Sequence, residues 1–193
     1  VFEEPLPFEK GKKKQLPIDV FYNDIKELHS SIIAYYSLIQ TQKLDETVAQ
    51  ELERAILASR NIMNAAKNFK GIRPDLDEFE SSDSAFLNRQ YDRFRKRLIT
   101  LYHEINEVLS LNKEELQFST IIKAFAHVEQ ADKIFIQQIV KTSSKNKEEN
   151  LDLSTLFLVN RLFTQACRML IFSMKDVLLT KEKTIAFDKA IEP

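Results

Sequence analysis

The stretch LDETVAQELERAILASRNIMNAAKNF, residues 44–69, decides the fold. It extends for about seven helical turns and contains neither glycine nor proline. A stripe of residues, all apolar except one serine, recurs in steps of three and four: Leu44, Val48, Leu52, Ala55, Ser59, Ile62, Ala66 and Phe69. This spacing places the stripe on one face of an α-helix. We therefore predict a helix over 44–69 with one buried face.

Small residues in this stripe determine how closely other helices can approach. Ala55, Ser59 and Ala66 make the predicted contact face narrow, and small side chains let helix axes come close. We predict that this helix is the centre of a bundle. Ala58 and Ala65 lie beside the stripe, so we expect larger side chains to be tolerated at these two positions.

Four other segments show the same alternation of three- and four-residue steps. Their stripes begin at Phe21, Leu87, Phe118 and Leu156. The first of these stripes takes in Phe21, Ile25, Leu28, Ile32, Tyr35 and Ile39. The connections between segments are short, which favours antiparallel neighbours. We predict an all-α fold, an antiparallel up-and-down bundle of about five long helices.

Turn-forming residues and composition set the predicted domain limits. Gly71 can close the second helix in a left-handed cap, and Pro74 follows it as a stop signal. Residues 1–17 contain three prolines and a lysine run, which predicts a linker. Residues 18–180 are the predicted bundle domain. The apolar pattern fades over 181–193, which we interpret as a tail or as the start of another helix.

Composition excludes several classes of protein. Two glycines among 193 residues are too few for the turns of an ordinary β or α/β domain. A net charge of −1 gives no overall field that attracts nucleic acid, so we expect no nucleic-acid partner. The longest uncharged stretch, Leu28–Gln42, is too short and too polar to span a bilayer. The chain begins at Val1 and not at a methionine, and we expect it to be cut from a longer protein.

Groups that catalyse reactions or bind metals are sparse. His29, His103 and His127 fall on three different predicted helices, and none belongs to the Glu-x-x-His spacing of di-iron bundles. Two groups could each lend a metal ligand, namely His103-Glu104 with Glu107, and His127 with Asp132. Surface histidines beside surface acids explain them as well. Cys167, the single cysteine, is predicted to be a small core residue. We predict no catalytic residues, no metal, no cofactor and no enzymatic activity.

Basic residues form two groups that can contact an anionic partner. They lie on one side of the third predicted helix and in the linker: Arg89, Arg93, Lys96 and Arg97, with Lys12, Lys13 and Lys14. Together they are a candidate basic contact patch for a lipid headgroup, a phosphate or an acidic protein surface. The alternative is that both groups are solvated, as charge runs usually are.

The sequence LERAILASRNI, residues 52–62, resembles the signature helix of the PhoU family. Five residues fit that pattern: Leu52, Glu53, Arg54, Asn61 and Ile62. Residues 159–164 repeat it weakly. Because the family is built from tandem three-helix repeats, the resemblance implies two such repeats here. With the lysine run in front, the chain most resembles the PhoU-like domain that follows the membrane part of bacterial Na+/phosphate cotransporter-family proteins.

The same resemblance does not extend to the metal site of the family. That site uses a Glu/Asp-x-x-x-Asp pair in each repeat. Here Glu53 keeps the first acid, whereas Leu57, Asn160 and Thr164 stand where the other three acids are expected. One carboxylate cannot hold a cluster of hard or borderline cations, so we expect no metal ligands at these positions.

The resemblance implies a non-catalytic regulatory or accessory domain of a sodium-dependent phosphate transporter. Its expected location is the cytoplasmic side of the plasma membrane, as part of an integral membrane protein. The expected partners are the transmembrane portion of the same chain and anionic lipid, and a homo-oligomer is left open. The alternatives are a stand-alone helical interaction scaffold and, with weaker support, a metal-binding regulator of phosphate uptake.

Overall fold

The structure is a computed structural model that describes residues 17–41, 44–143 and 153–192. Within them the chain forms six helices: α1 (Ile18–Ile39), α2 (Glu46–Ser81), α3 (Ala85–Ser110), α4 (Glu114–Ser143), α5 (Leu153–Leu178) and α6 (Lys181–Ile191). These residues contain no strand, and the predicted all-α helical bundle is confirmed. In the same ranges no helix combines the length and apolar character needed to cross a membrane. The predicted basic residues of the linker, Lys12, Lys13 and Lys14, lie outside the described residues.

Helices α1 and α2 form an antiparallel hairpin, as predicted. Nζ of Lys70 lies 2.6 Å from Oδ1 of Asp19, and Nδ1 of His29 lies 2.7 Å from Oγ of Ser59. Increasing residue numbers along α1 are therefore paired with decreasing residue numbers along α2, so the two helices run antiparallel. Among the described helices α1 packs against α2 alone, and none of the residues of α1 is buried. This places α1 at the edge of the bundle.

Helix α2 is longer than the sequence predicted. It continues through Gly71 and Pro74 to Ser81, and the φ of Gly71 is not positive, so the predicted left-handed cap is wrong. A proline inside a helix costs about 3 kcal/mol. The extension buries Ile72 and Phe79 in the core, and each contributes about 1.5–3 kcal/mol. Burial of these two side chains therefore offsets the local stop signal.

The central helix is α5 and not α2. Eleven of the 26 residues of α5 are buried. At about 100° per residue, their positions cover roughly two thirds of the helix circumference. Helix α5 packs against α2, α3, α4 and α6. Among the described helices α2 packs against α1, α3 and α5, but only five of its 36 residues are buried, so the prediction of a central α2 is wrong.

Phenylalanine rings join α5 to three of its neighbours. The ring centroid of Phe163 on α5 lies 5.1 Å from that of Phe94 on α3 and 5.7 Å from that of Phe69 on α2. The ring of Phe94 also lies 5.2 Å from that of Phe135 on α4. Such pairs contribute about 0.5–1.5 kcal/mol beyond the burial of their area. One aromatic cluster thus connects four helices.

Residues 181–191 form α6, so the start of another helix is confirmed and the alternative of a tail is wrong. Oγ1 of Thr180 accepts a hydrogen bond from the backbone N–H of Lys183 and so caps the helix. Phe187 is fully buried, and its ring centroid lies 5.9 Å from that of Phe125. The bundle therefore extends beyond residue 180. A helix this short, with a single buried residue, gives almost no periodic signal in the sequence.

Small residues of α2 belong to two contact edges. Ser59 faces α1, whereas Ala58 and Ala65 are turned away from it by roughly 100–120° about the helix axis and are 2% and 1% exposed. Ala55 is exposed, and Ala66 is half-buried. The expectation that Ala58 and Ala65 tolerate larger side chains is therefore wrong. A single-stripe interpretation fails here because α2 lies between α1 and α5 and packs on both sides.

Replacing Gly71 with alanine distinguishes a helical position from a left-handed cap. A Cβ atom built at Gly71 meets no other atom within 4 Å. Alanine is favoured over glycine in a helix interior by about 0.5–1 kcal/mol. We expect Gly71→Ala to raise the free energy of unfolding by this amount in a urea titration. A decrease would show that Gly71 requires a positive φ after all.

Candidate functional site

The predicted basic patch on α3 is divided between surface and core. Arg89 and Lys96 are exposed, and Arg93 is half-buried, with Nη1 donating to Oε1 of Gln90 at 2.9 Å. Burial lowers the pKa of Arg93, and the charge of Arg89 lowers it further. Arg97 instead hydrogen-bonds to side chains of α5. It does not share an exposed contact surface with the other three.

Arg97 is the centre of a polar network that joins α3, α4 and α5. Its Nη1 donates to Oδ1 of Asn160 at 2.7 Å, and its Nη2 donates to Oγ1 of Thr164 at 2.9 Å. Asn160 and Thr164 in turn donate to Oδ1 of Asp132 at 2.6 and 3.0 Å. The carboxylate of Asp132 therefore balances the guanidinium through two neutral side chains.

The guanidinium of Arg97 lies in a partly buried, aromatic environment. Burial lowers the pKa of Arg97, against smaller opposing effects of Cys167 and Asp132. The guanidinium carbon lies 4.8 Å from the ring centroid of Phe163 and 5.6 Å from that of Phe94, where ring faces attract a cation. Because the guanidinium of arginine is not deprotonated in proteins, Arg97 stays charged at neutral pH. Its hydrogen-bond partners are therefore needed to keep the charge in the core.

The positions of Arg97 and Asp132 within the apolar patterns of their helices indicate this network, whereas the number of charged residues does not. Arg97 follows Phe94 by three residues and precedes Leu101 by four, and both neighbours are buried. It therefore lies in the middle of the inward face of α3. Asp132 likewise occupies a step between two buried residues of α4. Since buried charges are paired, opposite charges at such steps on adjacent helices predict a network.

A cleft of about 180 Å³ opens beside the network, between α3 and α4. Its lining includes Arg97, Glu104 and His127, and its floor includes Phe163 and Cys167 of α5. Burial raises the pKa of the Cys167 thiol to about 12. The thiol is therefore protonated at neutral pH, and it lacks the thiolate that a nucleophile requires.

Of the metal-ligand candidates named from the sequence, the structure brings His127 to Glu104 and not to Asp132. Nδ1 of His127 is hydrogen-bonded to Glu104. Asp132 accepts hydrogen bonds from Asn160 and Thr164 instead. Across the parts of the chain that the structure describes, no three His, Cys, Asp or Glu side chains gather as a metal site would require.

The residues behind the family resemblance contribute mainly to helix packing. Nη2 of Arg54 donates to the carbonyl of Leu179, and Nδ2 of Asn61 donates to Oδ2 of Asp176 at 3.5 Å. Burial raises the pKa of Asp176. Leu57, where the family has an acid, is 40% exposed on α2. This part of α2 therefore serves as the contact edge for α5 and the start of α6.

A second candidate site is an apolar face of the α1–α2 hairpin. Six apolar residues of the stripes predicted to be buried are exposed here, and they define the hairpin face: Phe21, Leu28 and Tyr35 of α1, and Val48, Ala55 and Ile62 of α2. Leu28 and Tyr35 are 63% and 62% exposed. A contiguous apolar surface of this kind marks a site of protein or membrane contact.

The register of the two helices places all six residues on one side of the hairpin. Leu28 follows the half-buried Ile25 by three positions, and the other hairpin-face residues of α1 have the same offset from the contact edge. On α2, Ile62 follows Ser59, which is bonded to α1, by three positions. Because the offsets are equal, the hairpin-face residues of both helices are rotated in the same sense about their helix axes, away from the α1–α2 contact. In an antiparallel pair this turns them to the same side.

None of the described helices covers the hairpin face. Helix α3 contacts α2 near their connection, where Nδ2 of Asn88 donates to the carbonyls of Phe79 and Ser82, each at 2.9 Å. Helix α3 makes no contact with α1 in the described residues. In the second half of the chain, by contrast, α6 packs against both α4 and α5. The apolar side of the α1–α2 hairpin is therefore left exposed, whereas the α4–α5 hairpin is packed against a third helix, α6.

Comparisons with known proteins identify no family for this arrangement. The chain matches no protein-family model, no curated protein and no solved structure. The resemblance to the PhoU-like domain accordingly remains one of sequence pattern, carried by residues 52–62, by residues 159–164 and by the lysine run in front of them.

Leucine substitutions separate the core arginine from an exposed one. Arg97→Leu leaves the half-buried Asp132 without its cation, and losing hydrogen bonds to a charged group costs about 1.5–3 kcal/mol. Arg89→Leu, on the exposed side of the same helix, should change the free energy of unfolding by less than about 0.5 kcal/mol. Urea unfolding followed by circular dichroism measures both. Equally small effects would contradict the role of the network.

Proposed function

We propose that this protein is a non-catalytic regulatory or accessory domain that acts through protein contacts made by the hairpin face. The observation that carries this proposal is the exposure of six apolar residues on one side of α1 and α2. Covering such a surface stabilises a complex by about 25 cal/mol per Å² of apolar area. Because α2 is the one described helix that α1 packs against, a partner bound there can shift α1 without repacking the core.

The proposed setting is a sodium-dependent phosphate transporter. The resemblance of residues 52–62 to the PhoU signature helix supports it. The order of six helices in the described residues matches two successive repeats of three, although α3 makes no contact with α1. In this setting the domain lies on the cytoplasmic side of the plasma membrane, and its first partner is the transmembrane portion of the same chain. With Leu57, Asn160 and Thr164 in place of acids, the domain acts by contact and not through a metal cluster.

A stand-alone helical interaction scaffold is the alternative function. The hairpin face favours it as much as the first, because an apolar docking surface requires no membrane. The two functions differ in what precedes this domain in the full-length chain. Repeated apolar spans of about 20 residues upstream would support the transporter, and their absence there would support the scaffold.

Phosphate uptake tests the proposed function. Leu28→Glu combined with Ile62→Glu places two charges on the hairpin face. In cells that take up phosphate through the full-length protein, we expect the uptake of radiolabelled phosphate, or its response to external phosphate, to change about fivefold or more. This is the size of effect that a coupling free energy of 1–3 kcal/mol produces.

The matched control is Asn23→Glu combined with Arg60→Glu. Both residues are exposed, and each lies two positions from a residue of the hairpin face, which turns it to the other side of its helix. The control should transport phosphate like the wild type. Wild-type uptake by the hairpin-face variant, at an equal protein level in the membrane, would contradict the proposal.

A further inference from the structure

The hairpin face is self-complementary. Building on the proposed function, in which this face is a protein contact, we infer that its occupant is a second copy of the same chain. The two copies pair with their α2 helices antiparallel, about a two-fold axis that passes at Ile62. Three observations support this pairing: the area of the face, the sizes of the residues flanking Ile62, and the charges at its two ends.

The area of the hairpin face suits a two-fold dimer. The 22 residues of α1 extend for about 33 Å, and two helices packed side by side are about 20 Å wide. One side of the hairpin therefore offers about 650 Å² to a partner. Specific interfaces bury about 800 Å² per partner, so the face is close to the standard size. Pairing two antiparallel hairpins in this way creates a four-helix bundle.

Residue sizes on α2 match across the proposed axis. Ala55 lies seven residues before Ile62, and Phe69 lies seven residues after it. Because seven residues are about two turns, all three are turned to the same side of α2. Antiparallel pairing about Ile62 places each exposed Ala55 opposite the solvent-facing part of the partner's Phe69, which is half-buried. A small residue against a large one is the arrangement by which helix surfaces interdigitate.

Charges on α2 have the same symmetry. Glu51 lies eleven residues before Ile62, and Arg73 lies eleven residues after it. Eleven residues are about three turns, so both charges share the side of Ile62. Both are exposed, and Nε of Arg73 lies 2.7 Å from Oδ1 of Asp77 on its own helix. The two-fold axis places each Glu51 opposite the partner's Arg73.

These charges also discriminate against other pairings. A parallel arrangement of the two α2 helices would oppose Glu51 to Glu51 and Arg73 to Arg73, and like charges in contact repel. A second copy of the chain carries complementary charges at equal distances from Ile62 by symmetry, which an unrelated protein does not. The net charge of −1 adds no general repulsion between copies. The dimer would bring two copies of the accessory domain, and the transporter chains that carry them, side by side.

Sedimentation equilibrium of the purified chain tests the pairing. We expect the wild type to form a dimer, and Ile62→Glu to be monomeric at concentrations where the wild type is dimeric. Ile62 is 39% exposed within one chain, so the variant should keep its helical circular dichroism. The control is Glu53→Arg. Glu53 is exposed and lies two positions from Glu51, on the other side of α2, and this variant should remain dimeric.

Charge exchange tests the register of the dimer. Glu51→Arg alone and Arg73→Glu alone should each raise the dissociation constant of the dimer about tenfold, because the two-fold axis applies each reversal twice. The double variant with both changes restores opposite charges in both pairs. We expect its dissociation constant to return to near the wild-type value, which is an outcome specific to antiparallel self-pairing.

Several results would overturn this inference. They are a wild type that stays monomeric at all accessible concentrations, a dimer that survives Ile62→Glu, and a double charge variant no tighter than the single ones. The proposed function is judged separately. If the wild type is monomeric but phosphate uptake still responds to Leu28→Glu with Ile62→Glu, the hairpin face binds a different protein and the regulatory role stands.

Discussion

The need to bury α5 over most of its circumference is the constraint on which the rest of this structure depends. A helix with buried positions on roughly two thirds of its surface requires several neighbours. Helices α2, α3, α4 and α6 supply them. Because α3 packs on the core, it does not cover the α1–α2 hairpin, and α1 has one neighbour among the described helices. The exposed hairpin face is thus a consequence of where the core lies, and it motivates the proposed contact function.

Arg97 adds specificity to a largely apolar core. Apolar helices can slide or rotate against each other at small cost, whereas the hydrogen bonds of Arg97 to Asn160 and Thr164, and of these to Asp132, are satisfied together in one arrangement. The same contacts explain why the arginines of α3 do not act as one surface patch. Asn160 and Thr164, which stand where acids were expected, also have a role here. They accept hydrogen bonds from the guanidinium of Arg97, a cation of the protein itself.

Periodicity in the sequence was sufficient to predict the helices but not their neighbours. Steps of three and four identified the all-α bundle and the α1–α2 hairpin, since local spacing determines both. The stop at Gly71 and Pro74 failed because burial of Ile72 and Phe79, a tertiary effect, outweighs a local signal. Predicting one buried stripe per helix missed the second contact edge of α2 and the wide core face of α5. The network around Arg97 was missed because charged residues were read as surface by default.

Native-state hydrogen exchange tests the central claim that the fold is built around α5 and leaves α1 outside. At a concentration low enough to keep the chain monomeric, we expect the slowest amides in α5, around the fully buried Ile171, with opening free energies equal to that of global unfolding. The amides of α1 should exchange through smaller, local openings, because that helix has no buried residue. Protection of α1 as strong as that of α5 would contradict this account.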